Sequence, residues 1–290
     1  MKIFVDPPYG LSKAMSRVSL ALKTFAPAGH HEVKQEADAD LVVLHIIGWT
    51  GLEDAVARLQ ARHQRFVIAQ YCLRTTERKH VGAWLDVWKQ AEMVWSYYDL
   101  MGMARADGVE PPTNVYCSPL GVNATVFTHH PEASDRKHFV AMMSGYVAWS
   151  ECLNEVAEAA GERPVFHLGP PLPFGPHVQS MNEIPDESLA GYYRNSQFVT
   201  GLRREEGFEL PALEGLLCGA RPILFDQPHY SNWFGSLAEY IPESTPESVV
   251  TSLTALFDKG PRKVTDDELE FVRAHFQWRH VAEKFWEQLA

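Results

Sequence analysis

The stretch "EEGFELPALEGLLCGARPILFD" (residues 205–226) sets two carboxylates, Glu206 and Glu214, with seven residues between them, ahead of an apolar run. "RPILFD" reads as a buried strand, and "QFVTGL" (residues 197–202) as the strand that delivers the chain to the acids. Pro211 suits the first turn of a helix, because its missing N–H would have no partner there and its φ is already helical. Glu206 then precedes the helix and Glu214 sits one turn inside it. The N–H groups around Gly207 to Leu210, together with the helix dipole, favour a phosphate group. A carboxylate accepts two hydroxyl hydrogen bonds, so the pair can hold polyol groups on either side of a diphosphate.

Outward from this stretch, strands and helices alternate. "MKIFVD", "ADLVVLHIIG" and "RFVIAQYC" read as strands, with helices expected at "SKAMSRVSLALKTFA" (capped by Ser12), "LEDAVARLQARH" and "ERKHVGAWLDVWKQA". "EMVWSYYDLMGMARADG" and "NVYCSPLGVNATVF" extend the pattern, and "THHPEASDRK" reads as a linker. The alternation restarts with "HFVAMMSGYV", "SECLNEVAEAAG", "PVFHLG" and "DESLAGYYRNS", and ends in helices at "TPESVVTSLTALFDK", "DDELEFVRAHF" and "WRHVAEKFWEQLA". The expected fold class is α/β, with two Rossmann-like domains over residues 1–125 and 126–272. The aromatic helix of residues 273–290 is expected to return to the first domain. In such open sheets ligands bind beyond the carboxyl ends of the strands, which is where the two acids fall.

A chain of 290 residues with 46% hydrophobic and 22% charged residues can bury a substantial core. No apolar stretch approaches the roughly 18–20 residues of a membrane span, and "MKIFVDPPYG" lacks the pattern of a signal peptide, so a cytoplasmic protein is expected. Residues 1–125 carry 13 Lys+Arg against 13 Asp+Glu, and the remainder 13 against 24, so the second half accounts for the net charge of −11. That balance argues against indiscriminate nucleic-acid binding. Cys72, Cys117, Cys152 and Cys218 lie far apart beside apolar segments, as buried reduced thiols do, and form no zinc pattern. There is no Walker loop, G-x-G-x-x-G or G-x-S-x-G, which argues against kinase, dehydrogenase and hydrolase chemistry.

The segment "EGFELPALEGLLCGARPILF" resembles the hallmark of the retaining GT-B glycosyltransferases of family 4, departing at Glu209, where the family usually has Gly. "SPLGVNATVFTHHP", "PVFHLG" and "HFQWRHVAEKF" resemble further segments in the family's order, so the resemblance spans nearly the whole chain. It implies two domains facing across a cleft and transfer of a sugar from a nucleotide-sugar donor, UDP- or GDP-linked, to an acceptor hydroxyl with retention. It further implies that Glu214 binds the donor ribose, that Glu206 binds the transferred sugar, and that Gly207, Phe208, Glu209 and Leu210 line the diphosphate. On the same basis Gly10, in "PPYGL", and Gly145 and Tyr146, in "SGYVAWSECL", approach the donor. His45 lies at the cleft edge as a catalytic candidate. Tyr9, Tyr71 and Arg74 are the acceptor-side candidates. No metal or other cofactor is expected.

The family usually carries an Arg and a Lys after the first strand of its second domain, and "SGYVAWSECL" has neither. Charge developing on a leaving diphosphate needs cations or aimed dipoles, and Arg203 and Arg204 are the candidates to supply them. Where many members have a histidine, "VIAQYCLRTTE" has Tyr71 or Cys72. The Asp-x-Asp pair Asp38 and Asp40 precedes a strand and reads as strand-start solvation rather than a metal site. Trp84, Trp88 and Trp95 read as core before sugar platform. The basic run Arg58, Arg62, Arg65, Arg74, Arg78, Lys79 and His80 reads as a solvated face, with an anionic acceptor as the functional alternative. Such an acceptor would be a phospholipid headgroup, a phosphorylated sugar or a modified base in DNA. Against the transferase stand two other readings, a catalytically weakened sugar-nucleotide binding module and a sugar-nucleotide epimerase.

Overall fold

The computed structural model describes residues 1–6, 13–46, 51–70, 81–97, 100, 101, 105, 108–110, 112–130, 137–204 and 207–290. The chain divides into two compact units. Met1–Gly121, Glu205–Phe208 and Trp278–Ala290 form the first, and Val122–Arg204 with Glu209–Gln277 the second.

In the first unit the apolar runs become parallel strands β1 (Lys2–Val5), β3 (Leu41–Ile46), β4 (Arg65–Gln70) and β5 (Met93–Ser96), with short strands β2 (His31–Glu32) and β6 (Val115–Cys117) at the edges. Their order is β2-β1-β3-β4-β5-β6. Leu41, Val42, Val43, Val67 and Ile68 are fully buried, as expected of a parallel sheet covered on both faces. Helices α1 (Lys13–Thr24), α2 (Leu52–Ala61) and α3 (Val81–Trp88) supply the connections. Trp84, Trp88 and Trp95 are buried, and the rings of Trp84 and Trp88 lie 5.6 Å apart, so all three are core. The last helix, Trp278–Glu287, belongs to this unit. Its Trp286 indole N–H donates to the Leu22 carbonyl at 3.0 Å, and its Phe285 ring lies 5.2 Å from Trp95.

The second unit holds β7 (Phe139–Ser144), β8 (Val165–Leu168), β9 (Val178–Met181), β10 (Ser196–Gly201), β11 (Arg221–Phe225) and β12 (Glu239–Ile241), all parallel, in the order β12-β11-β10-β7-β8-β9. Among the described residues its helices are α4 (Leu153–Ala160), α5 (Asp186–Arg194), α6 (Leu210–Leu217), α7 (Pro228–Phe234), α8 (Pro246–Lys259) and α9 (Asp266–His275), and the chain's last helix above is α10. α9 begins with a capping box, in which Thr265 accepts from the Glu268 N–H and Glu268 accepts from the Thr265 N–H. The second sheet has the doubly wound order, and its direction of winding reverses between β7 and β10. The first sheet reverses between β1 and β3. Such a reversal opens a crevice at the carboxyl ends of the two strands, the standard ligand position in open α/β sheets.

Strands β2, β9 and β12 and helix α7 are additions to the expected alternation. Both residues of β2 are exposed and β9 has no buried residue, so neither carries an apolar signature. Helix α7 starts on Pro228 and buries only Tyr230 and Phe234, too little to show a helical period. Cys152 and Cys218 are buried, and burial pushes both thiols up to about 12, whereas Cys117 is exposed, contrary to expectation. Cys117 falls on edge strand β6, where alternate residues face outward.

Candidate functional site

The reversal between β7 and β10 brings two loops together. The chain leaves β7 at Ser144 and turns through residues 145–151 before α4. It leaves β10 at Gly201 and passes Arg203 before α6. Arg203 joins the two. Its Nε donates to Glu151 Oε1 at 3.1 Å, one terminal nitrogen donates to the Ser144 carbonyl at 3.1 Å and its hydroxyl at 3.3 Å, and the other donates to Glu209. Glu151 folds back on its own loop, where Oε2 accepts from the backbone N–H of Tyr146 at 2.5 Å and of Val147 at 2.6 Å. Gly145 lets the carboxylate sit this close, since a Cβ on it would lie 2.3 Å from Glu151 Oε2 and push that side chain aside. His167 of β8 fixes the loop from below, its Nε2 lying 3.1 Å from the Gly145 carbonyl oxygen.

Glu209 is fully buried. Besides Arg203 it has the Tyr230 hydroxyl at 3.4 Å, which also donates to the Arg203 carbonyl at 3.1 Å. Burial raises its carboxyl to about 7, further raised by the Glu151 charge and lowered by Arg203 and Tyr230. Close packing of this side chain depends on Gly201, where a Cβ would come within 2.7 Å of Glu209 Cγ. Arg204 points to other acids. It meets Glu243 at 3.4 Å and Glu155 at 4.0 Å, and stacks 5.5 Å from the Phe225 ring centre. Both candidate cations are thus held by carboxylates.

Glu214 lies on α6, one turn from its start, and accepts from the buried Tyr193 hydroxyl at 3.1 Å. Leu210 is buried at the start of that helix. Gly207 and Phe208 are buried, and Phe208 meets Tyr97 edge-on at 6.3 Å. Tyr146 is 61% exposed, and Trp149 in the same loop 64%. Glu206, Gly10, Tyr9, Tyr71 and Arg74 lie outside the described residues. Glu151, Tyr193 and Tyr230 were not expected at the site. Nothing in the sequence marks them, since each reaches its partner through a turn or a strand crossing.

In the first unit His45 is the penultimate residue of β3, beside the reversal between β1 and β3, and is buried with Nδ1 3.4 Å from the Ser19 hydroxyl. Burial, then the Lys23 charge, lowers it to about 3, so the ring is neutral at physiological pH and serves as a hydrogen-bonding group rather than a cation. Asp40 accepts from the Lys2 N–H at 2.7 Å, which is a strand-edge role, and no cluster of metal-ligating side chains occurs among the described residues. The basic run is partly neutralised. Arg58 and Arg62 pair with Glu36 at 2.8 and 2.9 Å, and Arg65 with Glu92 at 2.5 Å. Arg78, Lys79 and His80 lie outside the described residues. A cavity of about 370 Å³ lined by Met101, Arg105, Glu110 and Thr113 is lined by none of the candidate residues. Among the described residues no helix is long and apolar enough to cross a membrane.

No protein-family model matches the sequence, and no curated protein matches it. Solved structures do match in shape. The Anabaena protein HepE, determined with UDP and glucose, superposes with a TM-score of 0.76 over 99% of this chain and 98% of that one, at 9% identity. The sucrose-phosphate synthase of Thermosynechococcus elongatus gives a TM-score of 0.76 over 99% and 98% of the two chains, at 12% identity. AviGT4, a glycosyltransferase involved in avilamycin A biosynthesis, gives 0.65 over 99% and 96%, at 13% identity. With its two six-stranded parallel sheets and its last helix packed on the first unit, the chain has the GT-B fold.

Proposed function

We propose that the chain is a glycosyltransferase that moves a sugar from a nucleotide-sugar donor to an acceptor hydroxyl with retention of configuration. One observation carries this reading. The motif from Glu206 to Glu214 follows β10 at the winding reversal of the second sheet, the ligand position of the fold, with Glu214 on the first helix beyond it. In this reading Glu214 holds the ribose, oriented by Tyr193, and Glu206 holds the transferred sugar. Gly207, Phe208, Glu209 and Leu210 surround the diphosphate, with Gly145, Tyr146 and Gly10 close to it. Arg203 and Arg204 neutralise the leaving group. His45, as a neutral ring, binds a hydroxyl of the sugar or acceptor. The acceptor lies over residues 1–125, with Tyr9, Tyr71 and Arg74 as contacts. A UDP-linked donor is the first choice, since HepE was determined with UDP-glucose.

The reaction is tested by incubating the protein with UDP- and GDP-sugars, with and without candidate acceptors, and measuring nucleotide release and the product anomer. Release that vanishes in Glu206→Ala, with the anomer retained, is the expected result. An inverted anomer contradicts the reading. Modified DNA is an acceptor only where its binding weakens steeply with added salt. The engagement of Arg203 and Arg204 by acids favours a second reading, a binding module with little turnover. Tight donor binding with no release by the wild-type protein supports that one.

A further inference from the structure

Glu151 is a carboxylate in a place built for an anion. Two consecutive backbone N–H groups, those of Tyr146 and Val147, converge on its Oε2 at 2.5 and 2.6 Å, and the Arg203 guanidinium reaches Oε1 at 3.1 Å. Successive N–H groups of one turn with a guanidinium beside them are the donor set that takes a phosphate oxygen. The nest is held from beneath by His167, whose ring meets the Gly145 carbonyl, and by the Leu168 carbonyl, which accepts from the Gly145 N–H at 3.1 Å. The nest lies at the end of β7, on the winding reversal, so it opens where the fold binds ligands.

We propose that Glu151 is an internal substitute for phosphate, filling the Tyr146–Val147–Arg203 nest until a phosphate group of the ligand displaces it. The inference rests on the donor reading above and names the step that reading lacks, a source of phosphate donors in a loop with neither Arg nor Lys. Displacement leaves the backbone donors in place and frees one face of Arg203, which Glu209 and Ser144 continue to hold. Glu151 swings outward on the short turn before α4, where its own N–H is tied to the Val147 carbonyl at 3.1 Å. The binding strength of the ligand is therefore reduced by whatever the carboxylate gains in the nest. Glu151 sets donor affinity without touching the donor.

The test titrates inorganic pyrophosphate and, separately, UDP into the wild-type protein, Glu151→Gln and Glu151→Ala. Binding is read by calorimetry and by the amide resonances of Tyr146 and Val147. The expected result is pyrophosphate affinity raised roughly tenfold or more in both variants, with the two amides shifting on titration in all three proteins. Affinity that is unchanged or lower in the variants overturns the proposal and makes Glu151 a brace of the loop. If the variants prove unstable, the wild-type resonances decide, because pyrophosphate that leaves the Tyr146 and Val147 amides unmoved also overturns it. UDP binding that depends on Glu214 while those amides stay still refutes this inference and leaves the donor reading intact. UDP binding to none of the three proteins refutes both.

Discussion

Two arginines of the second unit sit at opposite ends of neighbouring strands and behave differently. Arg221 opens β11 and is fully buried. It donates to both Glu268 oxygens, at 2.9 and 2.8 Å, and to the carbonyls of Leu237, Arg262 and Lys263. Arg203 follows the far end of β10, keeps 18% of its side chain exposed and divides itself between Glu151 and Glu209. The acids report the difference. Burial works against the Glu268 charge, but hydrogen bonds from Arg221, the Thr265 N–H and Arg262 overcome it and hold the carboxyl at about 2. Burial of Glu209 is not overcome, and its carboxyl rises to about 7. A guanidinium whose donors are all matched by one acid and three carbonyls is a structural clamp. One shared by two acids, at the ligand edge of a sheet, is available for exchange.

That contrast can be broken by mutation. Glu268→Ala leaves Arg221 buried without its acid and is expected to cost roughly 3–5 kcal/mol in denaturant unfolding; a loss below about 1 kcal/mol would put Arg221 in the same class as Arg203. Glu209→Gln removes a charge that burial disfavours. A folded-state value raised from 4.5 to about 7 gives stability that is full below the unfolded value and lost as pH rises through about 7. The wild-type protein therefore carries a downward slope of at most about 1.4 kcal/mol per pH unit from this group between those limits, and Glu209→Gln flattens it. For Glu268 the sign is reversed, since its contribution is present above 4.5 and is lost as pH falls through about 2. Stability curves of wild type and Glu209→Gln that run parallel from pH 4.5 to 7 would show that the Arg203 cluster is matched after all. Thr265→Ala, which removes one end of the capping box beside Glu268, sharpens the comparison with an expected loss of about 1 kcal/mol.

Much of this architecture was legible in the chain because its signals are local. The apolar runs of β3, β4, β7, β10 and β11 announce buried parallel strands, and the spacing of Glu206, Pro211 and Glu214 announces a helix entry with acids around it. Edge strands β2 and β9 could not be read, because strands lying against solvent need no apolar pattern. The arginine clusters were equally hidden. Arg58 and Arg62 find Glu36 from 22 and 26 residues away, and Arg203 finds Glu151 from 52 away, so pairings that neutralise these cations are set in space and not by neighbours in the sequence. The loop "SGYVAWSECL" was legible only as lacking cations. That its Glu151 returns onto two of its own N–H groups depends on a turn over Gly145, which no residue pattern specified.

Thermal unfolding of the wild-type protein and Glu214→Ala in a panel of nucleoside diphosphates and nucleotide sugars shows whether the proposed nucleotide-sugar site is centred on Glu214. A bound nucleotide at about a hundred times its dissociation constant stabilises the wild-type protein by roughly 2.7 kcal/mol; one nucleotide class is expected to do so, and Glu214→Ala to abolish the shift. A panel in which no nucleotide shifts the wild-type midpoint, or in which Glu214→Ala is stabilised as much as the wild type, contradicts a nucleotide-sugar site at Glu214.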